Sequence, residues 1–282
     1  MSRSARRRLI SRLFVGLCGL SILVALVPLA LILFYVVQQG ISSVNWDFFT
    51  KLPKPVGEAG GGMANAIVGT VILVGVAATL AVPIGVLSGV HLAEFGDTRF
   101  AFAVRFAADV LNGVPSIVVG MFAYALAVLP VHRFSALAGG LALAVMMIPI
   151  VTRTTEELLK LVPQGYRDAA LSLGATRARA LFTVVLPAAL PGVLTGILVA
   201  VARIAGETAP LLFTSLNNRY WSNGLTQPIG SLTVQVYTYA LSPYDDWHRQ
   251  AWAGALVLVT LVLSLSLLSR WVLRRLERMH RA

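Results

Sequence analysis

From Thr152 to Gly192 the chain reads TRTTEELLKLVPQGYRDAALSLGATRARALFTVVLPAALPG. The stretch joins two strongly apolar runs. A chain that merely turned round at a membrane surface would need only a few residues there. Instead, residues 154–161 have helical character and Pro163-Gln164-Gly165 breaks it. A short helix is predicted over 166–173, with Tyr166, Ala169, Ala170 and Leu173 on one face. Gly174 follows at a helix C-cap, where its freedom to adopt positive φ is useful. A second, basic helix is expected from Thr176 to about Val185, leading into Leu186-Pro187. The product is a helix, a glycine turn and a helix, presenting Arg167, Asp168, Arg177 and Arg179 around an apolar ridge. Two readings fit: a soluble partner grips the ridge in a groove, admitted closely by Ala169, Ala170 and Gly174, or the helix rests on the membrane surface.

Working outward, the 282 residues are 57% hydrophobic and 12% charged, against about 25% charged in soluble domains. So little polar surface excludes a water-facing globule and fits helices solvated by lipid. A bilayer core of roughly 30 Å takes about 20 apolar residues in helix. Six spans are predicted, at 13–37, 64–90, 102–129, 136–151, 187–213 and 252–272. The fourth is short, and Asp109 and Asn112 sit near the start of the third. The fold class is therefore an all-α integral membrane protein with six transmembrane helices. The first run is too long for a signal-peptide core and is read as a retained span.

A net charge of +11 in a soluble protein would suggest nucleic acid. Here the charges collect at the ends of the spans. Arg3 to Arg12, Arg270 to Arg281, Arg99, Arg105 and the basic residues from Arg153 to Arg179 fall on one side. Lys51, Lys54, Arg133, Arg219 and Arg249 fall on the other. The positive-inside rule then places both termini in the cytoplasm. Of the two long outer segments, 38–63 and 214–251, each carries tryptophan (Trp46, Trp221, Trp247), either as interfacial anchors or as a docking surface for an external partner. Gly60-Gly61-Gly62 is read as a flexible joint before the second span, and Cys18 as a small core residue.

The fifth span holds Arg203 and Glu207, four apart and so expected on one helix face. A charge at bilayer depth costs about 2.5–3.5 kcal/mol by insertion scales and marks a polar pathway or a partner. One reading is a structural ion pair that fixes helix rotation. The other is a pathway site, with Arg203 attracting an anion and Glu207 preventing it from binding too tightly. Thr195 and Val199 continue the stripe, Gly192 and Gly196 permit close helix contact, and Pro210 is expected to bend or end the helix.

No catalytic or metal constellation is visible. His91, His132, His248 and His280 are scattered, without ligand spacing. The three lysines, Lys51, Lys54 and Lys160, lack the context of a phosphate-cradling Gly-Lys-Ser/Thr loop. No ATP-binding loop and no cofactor are therefore expected in this chain.

Asp168-Ala169-Ala170, then Gly174, Val184 and Leu186-Pro187, resemble the EAA loop of ABC-transporter permease subunits, with Asp168 in place of Glu and Val184 in place of Ile. Arg203-x-x-Gly206-Glu207-Thr208-Ala209-Pro210, Leu111 to Val118 and His91-Leu92-Ala93-Glu94-Phe95 resemble motifs of the phosphate-transport permeases in particular. The resemblance implies the type I importer (MetI-like) permease fold in a bacterial or archaeal inner membrane. The coupling loop would run from 152 to 187, with Tyr166, Arg167, Asp168, Ala169, Ala170, Leu173, Gly174, Leu186 and Pro187 facing a cytoplasmic ATPase. The partners implied are a second permease, an ATPase dimer that binds ATP and Mg, and an extracytoplasmic phosphate-binding protein. Arg203, Glu207, Thr208, Asn112 and Ser116 are carried over as pathway residues, although Asn112 and Ser116 equally suit a role in satisfying backbone around Pro115. The organisation expected is an added piece, 1–62, a permease core, 63–275, and a cytoplasmic tail, 276–282. Rival readings are a permease for sulfate or molybdate, a secondary transporter and an intramembrane enzyme.

Overall fold

A computed structural model describes residues 3–58 and 60–281, which form helices joined by turns, with no strand among them. The side chains of Arg8, Arg274, Arg275, Arg278 and Arg281, part of the charge asymmetry, lie outside the described residues, as do those of the whole 276–282 tail. Five helices are long and apolar enough to cross a membrane, and a sixth crossing arises if one bent pair is a single span.

Helix α1 (Arg3–Gly40) is exposed along most of its length. It meets the rest of the chain near its outer end, where Tyr35 packs edge-on against Trp252 and Gly40 lies under the backbone of that residue. Cys18, on this helix, is exposed rather than a core residue. A short helix α2 (Trp46–Thr50), capped by the Asn45 side chain, buries Phe48 against the outer end of α3 (Ala64–Glu94). Gly60 to Gly62 is not a loose joint here. Gly61 has φ of +88° and packs against Lys54, while Gly62 donates to the Leu52 carbonyl.

The centre of the molecule is α3 against α6 (Ala136–Lys160). Small residues bring the two backbones together: a Cβ on Gly85 would stand 2.7 Å from that of Val151, and one on Gly89 2.6 Å from that of Thr155. Close approach of this kind replaces the hydrophobic drive that lipid cannot supply. Leu73, Ala77, Leu143 and Met147 fill the core between them.

The expected third span, 102–129, is not one straight helix. α4 (Arg99–Gly113) and α5 (Ser116–Ala123, continuing as a π-helical turn to Val128) meet at 107°. Pro115 has no N–H to donate and forces Val114 into extended backbone (φ −71°, ψ 131°). α4 is fastened to α6 through Arg105–Glu156 (2.7 Å) and Asp109–Arg153 (3.0 Å).

The expected fourth span, 136–151, is too short. α6 continues unbroken to Lys160, so the cytoplasmic excursion begins after that residue rather than at Thr152. After α7 (Gln164–Ser172), the basic helix expected as a separate element proves to be the first turns of the fifth span. α8 (Arg177–Ala180) leads through a π-helical turn, Leu181–Val185, directly into α9 (Leu186–Ala205). The wide turn precedes Pro187, whose missing N–H could not close a normal α-helical bond. Gly192 and Gly196 of α9 fit against Leu158 and Thr154 of α6.

Beyond α9 the chain breaks at Gly206 to Thr208, resumes as α10 (Ala209–Thr214) and then folds back inward. Residues 229–235 are buried, and the carbonyl of Gly230 rests on Gly69 of α3, where a Cβ would collide with it. α11 (Leu232–Ala240) then returns outward to α12 (Asp245–Arg281), which runs through the expected tail without a boundary. Trp247 is not a free interfacial anchor, since it is 8% exposed and stacked on Tyr239 at 4.5 Å, whereas Trp46 is 79% exposed.

Candidate functional site

Arg203 lies in the last turn of α9, beside Ile204, which belongs to the central buried core. Gly192 and Gly196 of α9 meet Leu158 and Thr154 of α6, and that antiparallel register, continued, sets Arg203 level with about Met147, roughly 16 Å in from the start of α6 at 1.5 Å per residue. Arg203 is thus at hydrocarbon depth. Its side chain is nevertheless exposed, together with Val199 one turn below and Gly206 just above, and Thr195 is half-buried on the same stripe. Its own chain leaves this face of α9 open.

Glu207 is half-buried and does not share a helix face with Arg203. The helix ends at Ala205, the N–H of Gly206 bonds the Arg203 carbonyl, and that of Glu207 bonds the Ile204 carbonyl, so Glu207 stands in the break. Arg203 and Glu207 make no ion pair with each other or with any described residue, which removes the reading of a structural pair. Thr208 accepts, through its carbonyl, the first bonds of α10 from Leu211 and Leu212. Pro210 does not end the span. It sits in the first turn of α10, where its missing N–H is harmless.

The third-span motif converges on this break. A Cβ at Gly120 of α5 would stand 2.8 Å from the Cα of Pro210, so α5 and α10 touch backbone to backbone. Ser116 lies one turn earlier than Gly120 on α5 and is half-buried, and Asn112 is exposed at the end of α4. Neither side chain hydrogen-bonds a described residue, so they do not serve the backbone around Pro115. Sequence reasoning missed Gly120. A glycine four residues after Ser116 was the available signal.

At the cytoplasmic end, α7 projects from the bundle. Tyr166, Asp168, Ala169 and Leu173 are exposed, Leu173 at 90%, while Ala170 is half-buried. Gly174 has φ of +83°, with its N–H on the Leu171 carbonyl and that of Ala175 on the Ala170 carbonyl. These two bonds form a Schellman ending, which needs a residue tolerant of positive φ. Leu186 and Pro187 lie half-buried at the base of α9. Arg167 turns inward and donates to Glu94, in the last turn of α3. Between α7 and the bundle is an open cleft of about 370 Å³ lined by Lys160, Arg167, Arg177 and Glu94. Above it the buried carboxylate of Glu156, 1% exposed, takes Arg105, Arg153 and Lys160 at 2.6–2.7 Å. Neither acid was assigned a role from sequence, although Glu94 lay in a motif already singled out.

The exposed face of α7 and the unpaired Arg203 guanidinium on the open side of α9 suit contacts beyond this chain. The family profile described as binding-protein-dependent transport system inner membrane component matches residues 81–279. The chain belongs to this family. Among its relatives, the phosphate transport system permease protein PstA of Yersinia pestis is 45% identical over 95% of this chain and 91% of its own. PstA of Haemophilus influenzae is 43% identical over 94% of each chain, and the probable PstA of Methanocaldococcus jannaschii 36% over 95% of each. In fold, the chain is similar to the inward-facing MetNI methionine ABC transporter, with a TM-score of 0.61 at 19% identity over 75% of this chain and 93% of that one. It also resembles an amino acid ABC transporter solved with histidines, with a TM-score of 0.58 at 20% identity over 74% and 92%. Membership of the family makes this a multi-pass membrane subunit that works with an ATPase and a substrate-binding protein.

Proposed function

We propose that the chain is one of two permease subunits of an ATP-driven phosphate importer in a bacterial or archaeal inner membrane. The observation that carries this reading is Arg203, a permanent cation at hydrocarbon depth on a face its own chain leaves open. Such a charge calls for a polar route or a partner. The planar guanidinium fork suits a tetrahedral oxyanion, which it meets with parallel hydrogen bonds. Glu207, unpaired in the adjacent break, repels the anion and keeps it from settling. Thr208, Ser116 and Asn112 complete the polar lining. The names of the curated relatives favour phosphate over sulfate or molybdate.

In this reading hydrolysis belongs to a separate cytoplasmic ATPase dimer, which holds ATP and Mg. ATP binding closes that dimer and moves α7 as a lever, with Tyr166, Asp168, Ala169, Ala170 and Leu173 in its cleft and Leu186-Pro187 as the base. The permease pair swings from inward-facing to outward-facing. Phosphate released by the extracytoplasmic binding protein enters near Arg203, and hydrolysis restores the inward state.

The test is phosphate uptake by the assembled transporter carrying Arg203→Ala or Glu207→Ala, with competition by sulfate and molybdate. Both variants should lose uptake at normal levels of assembly, and only phosphate should compete in the wild type. Wild-type uptake in both variants overturns the site. Competition by sulfate reassigns the anion.

A further inference from the structure

The break that carries Glu207 is met from the outside by the inward-folded segment that begins α11. The side chain of Thr233, 4% exposed, donates from Oγ1 to the backbone carbonyl of Glu207 at 2.9 Å. Where α9 stops and α10 starts, that carbonyl has lost its helical partner: the nearest N–H groups of α10, on Leu211 and Leu212, go to Thr208 instead. In hydrocarbon a carbonyl without a donor is strongly disfavoured. Thr233 supplies the donor.

The hydroxyl is itself held in place. The N–H of Leu232 donates to Oγ1 of Thr70 on α3 at 2.8 Å, and Ser231 caps α11 by accepting from Val234. Gly69, one residue before Thr70, has no side chain to keep the Gly230 carbonyl away. A line of contacts therefore runs from the central helix, through the tip of the re-entrant segment, to the peptide whose side chain is Glu207.

We infer that Thr233 is a positioning residue for Glu207, fixing the angle of the α9–α10 break and hence where the carboxylate stands relative to Arg203. The inference rests on the pathway reading of Glu207. It assigns the re-entrant segment a part in transport beyond closing the outer face.

A double-mutant cycle in the fully assembled transporter tests it, reading phosphate uptake normalised to the amount of associated ATPase. Thr233→Val keeps the shape and removes the donor, and uptake should fall about five-fold, the scale of one net hydrogen bond. Thr233→Ser keeps the donor and should restore the wild-type rate. In a Glu207→Gln background, which should itself retain a measurable rate, adding Thr233→Val should have little further effect, because the carboxylate it positions is gone. Independent, multiplicative losses, or wild-type uptake in Thr233→Val while Glu207→Gln is impaired, would overturn the inference and leave the pathway reading intact. Wild-type uptake in Glu207→Gln alone would instead overturn the pathway reading. If Thr233→Val does not assemble, Thr233→Cys, of similar volume and a weaker donor, takes its place in the same cycle with the same outcomes.

Discussion

Arg167, in the middle of the projecting helix α7, donates to Glu94 in the last turn of α3. The contact joins the piece that faces the cytoplasm to a helix it does not follow in sequence. Any tilt of α7 is therefore felt by α3, the helix that also carries Gly69 and Thr70 beneath the re-entrant segment. The two side chains are 16% and 18% exposed, so solvent screens them less than a surface pair. Glu94→Ala should weaken coupling by about 1–2 kcal/mol, between the surface and buried limits. The expected result is ATP hydrolysis that persists while phosphate uptake falls about ten-fold, with partial recovery in the swapped pair Glu94→Arg with Arg167→Glu. Equal losses of hydrolysis and uptake would count against a transmitting role.

Gly174 separates conformation from space. Its φ is +83° and no atom would meet an added Cβ. Gly174→Asn should therefore support near-normal coupling, since asparagine tolerates positive φ. Gly174→Val strains the backbone by roughly 1–2 kcal/mol and should uncouple hydrolysis from uptake. The check is the ratio of phosphate transported to ATP hydrolysed in proteoliposomes.

Glu156 is a buried carboxylate shared by Arg105, Arg153 and Lys160. Glu156→Gln leaves three cations around a neutral amide and releases one of the two ties between α4 and α6, the Asp109–Arg153 bridge remaining. Loss of one partner from a buried ion cluster costs about 3–5 kcal/mol. The solubilised complex should show a lowered Tm, with a larger fall at low ionic strength, where repulsion among the three cations is least screened.

Gly69→Ala places a methyl group against the Gly230 carbonyl. Overpacking of this kind costs about 1–3 kcal/mol, and here it lifts the re-entrant segment away from α3. Uptake and thermal stability should both fall. Gly75→Ala, on the same helix with nothing near its added Cβ, should leave both unchanged. Equal behaviour of the two variants would show that the Gly69–Gly230 approach does not matter.

The crossing helices were legible because apolar runs of bilayer length have few other uses. Their ends were not. Hydropathy falls at Val151, but Arg153 and Lys160 both pair with Glu156 and the helix runs on to Lys160. The third span reads as one run despite Asp109 and Asn112 near its start, and composition hides the 107° bend at Pro115. The spacing of Arg203 and Glu207 suggested a shared helix face. Gly206, between them, was the sign that the helix stops. In the sequence the re-entrant segment falls within the outer stretch 214–251, and Ser231, Thr233 and Gln235 give no sign of burial. They are buried with protein partners for both hydroxyls and for the Gln235 side-chain carbonyl, which accepts from Asn217. The projecting helix and its glycine stop were plain from the sequence, since a helix, a breaker and an αL glycine are local features.

The bare guanidinium on α9 also bears on the life of the subunit before it meets its companions. A newly inserted copy, diffusing alone, exposes Arg203 to acyl chains on a flank that no described residue shields. Solitary copies should therefore be poorly tolerated by the bilayer and be removed by membrane proteases sooner than assembled ones. A pulse-chase comparison of turnover with and without co-expressed companions would read this directly, and Arg203→Leu should lengthen the survival of the orphan.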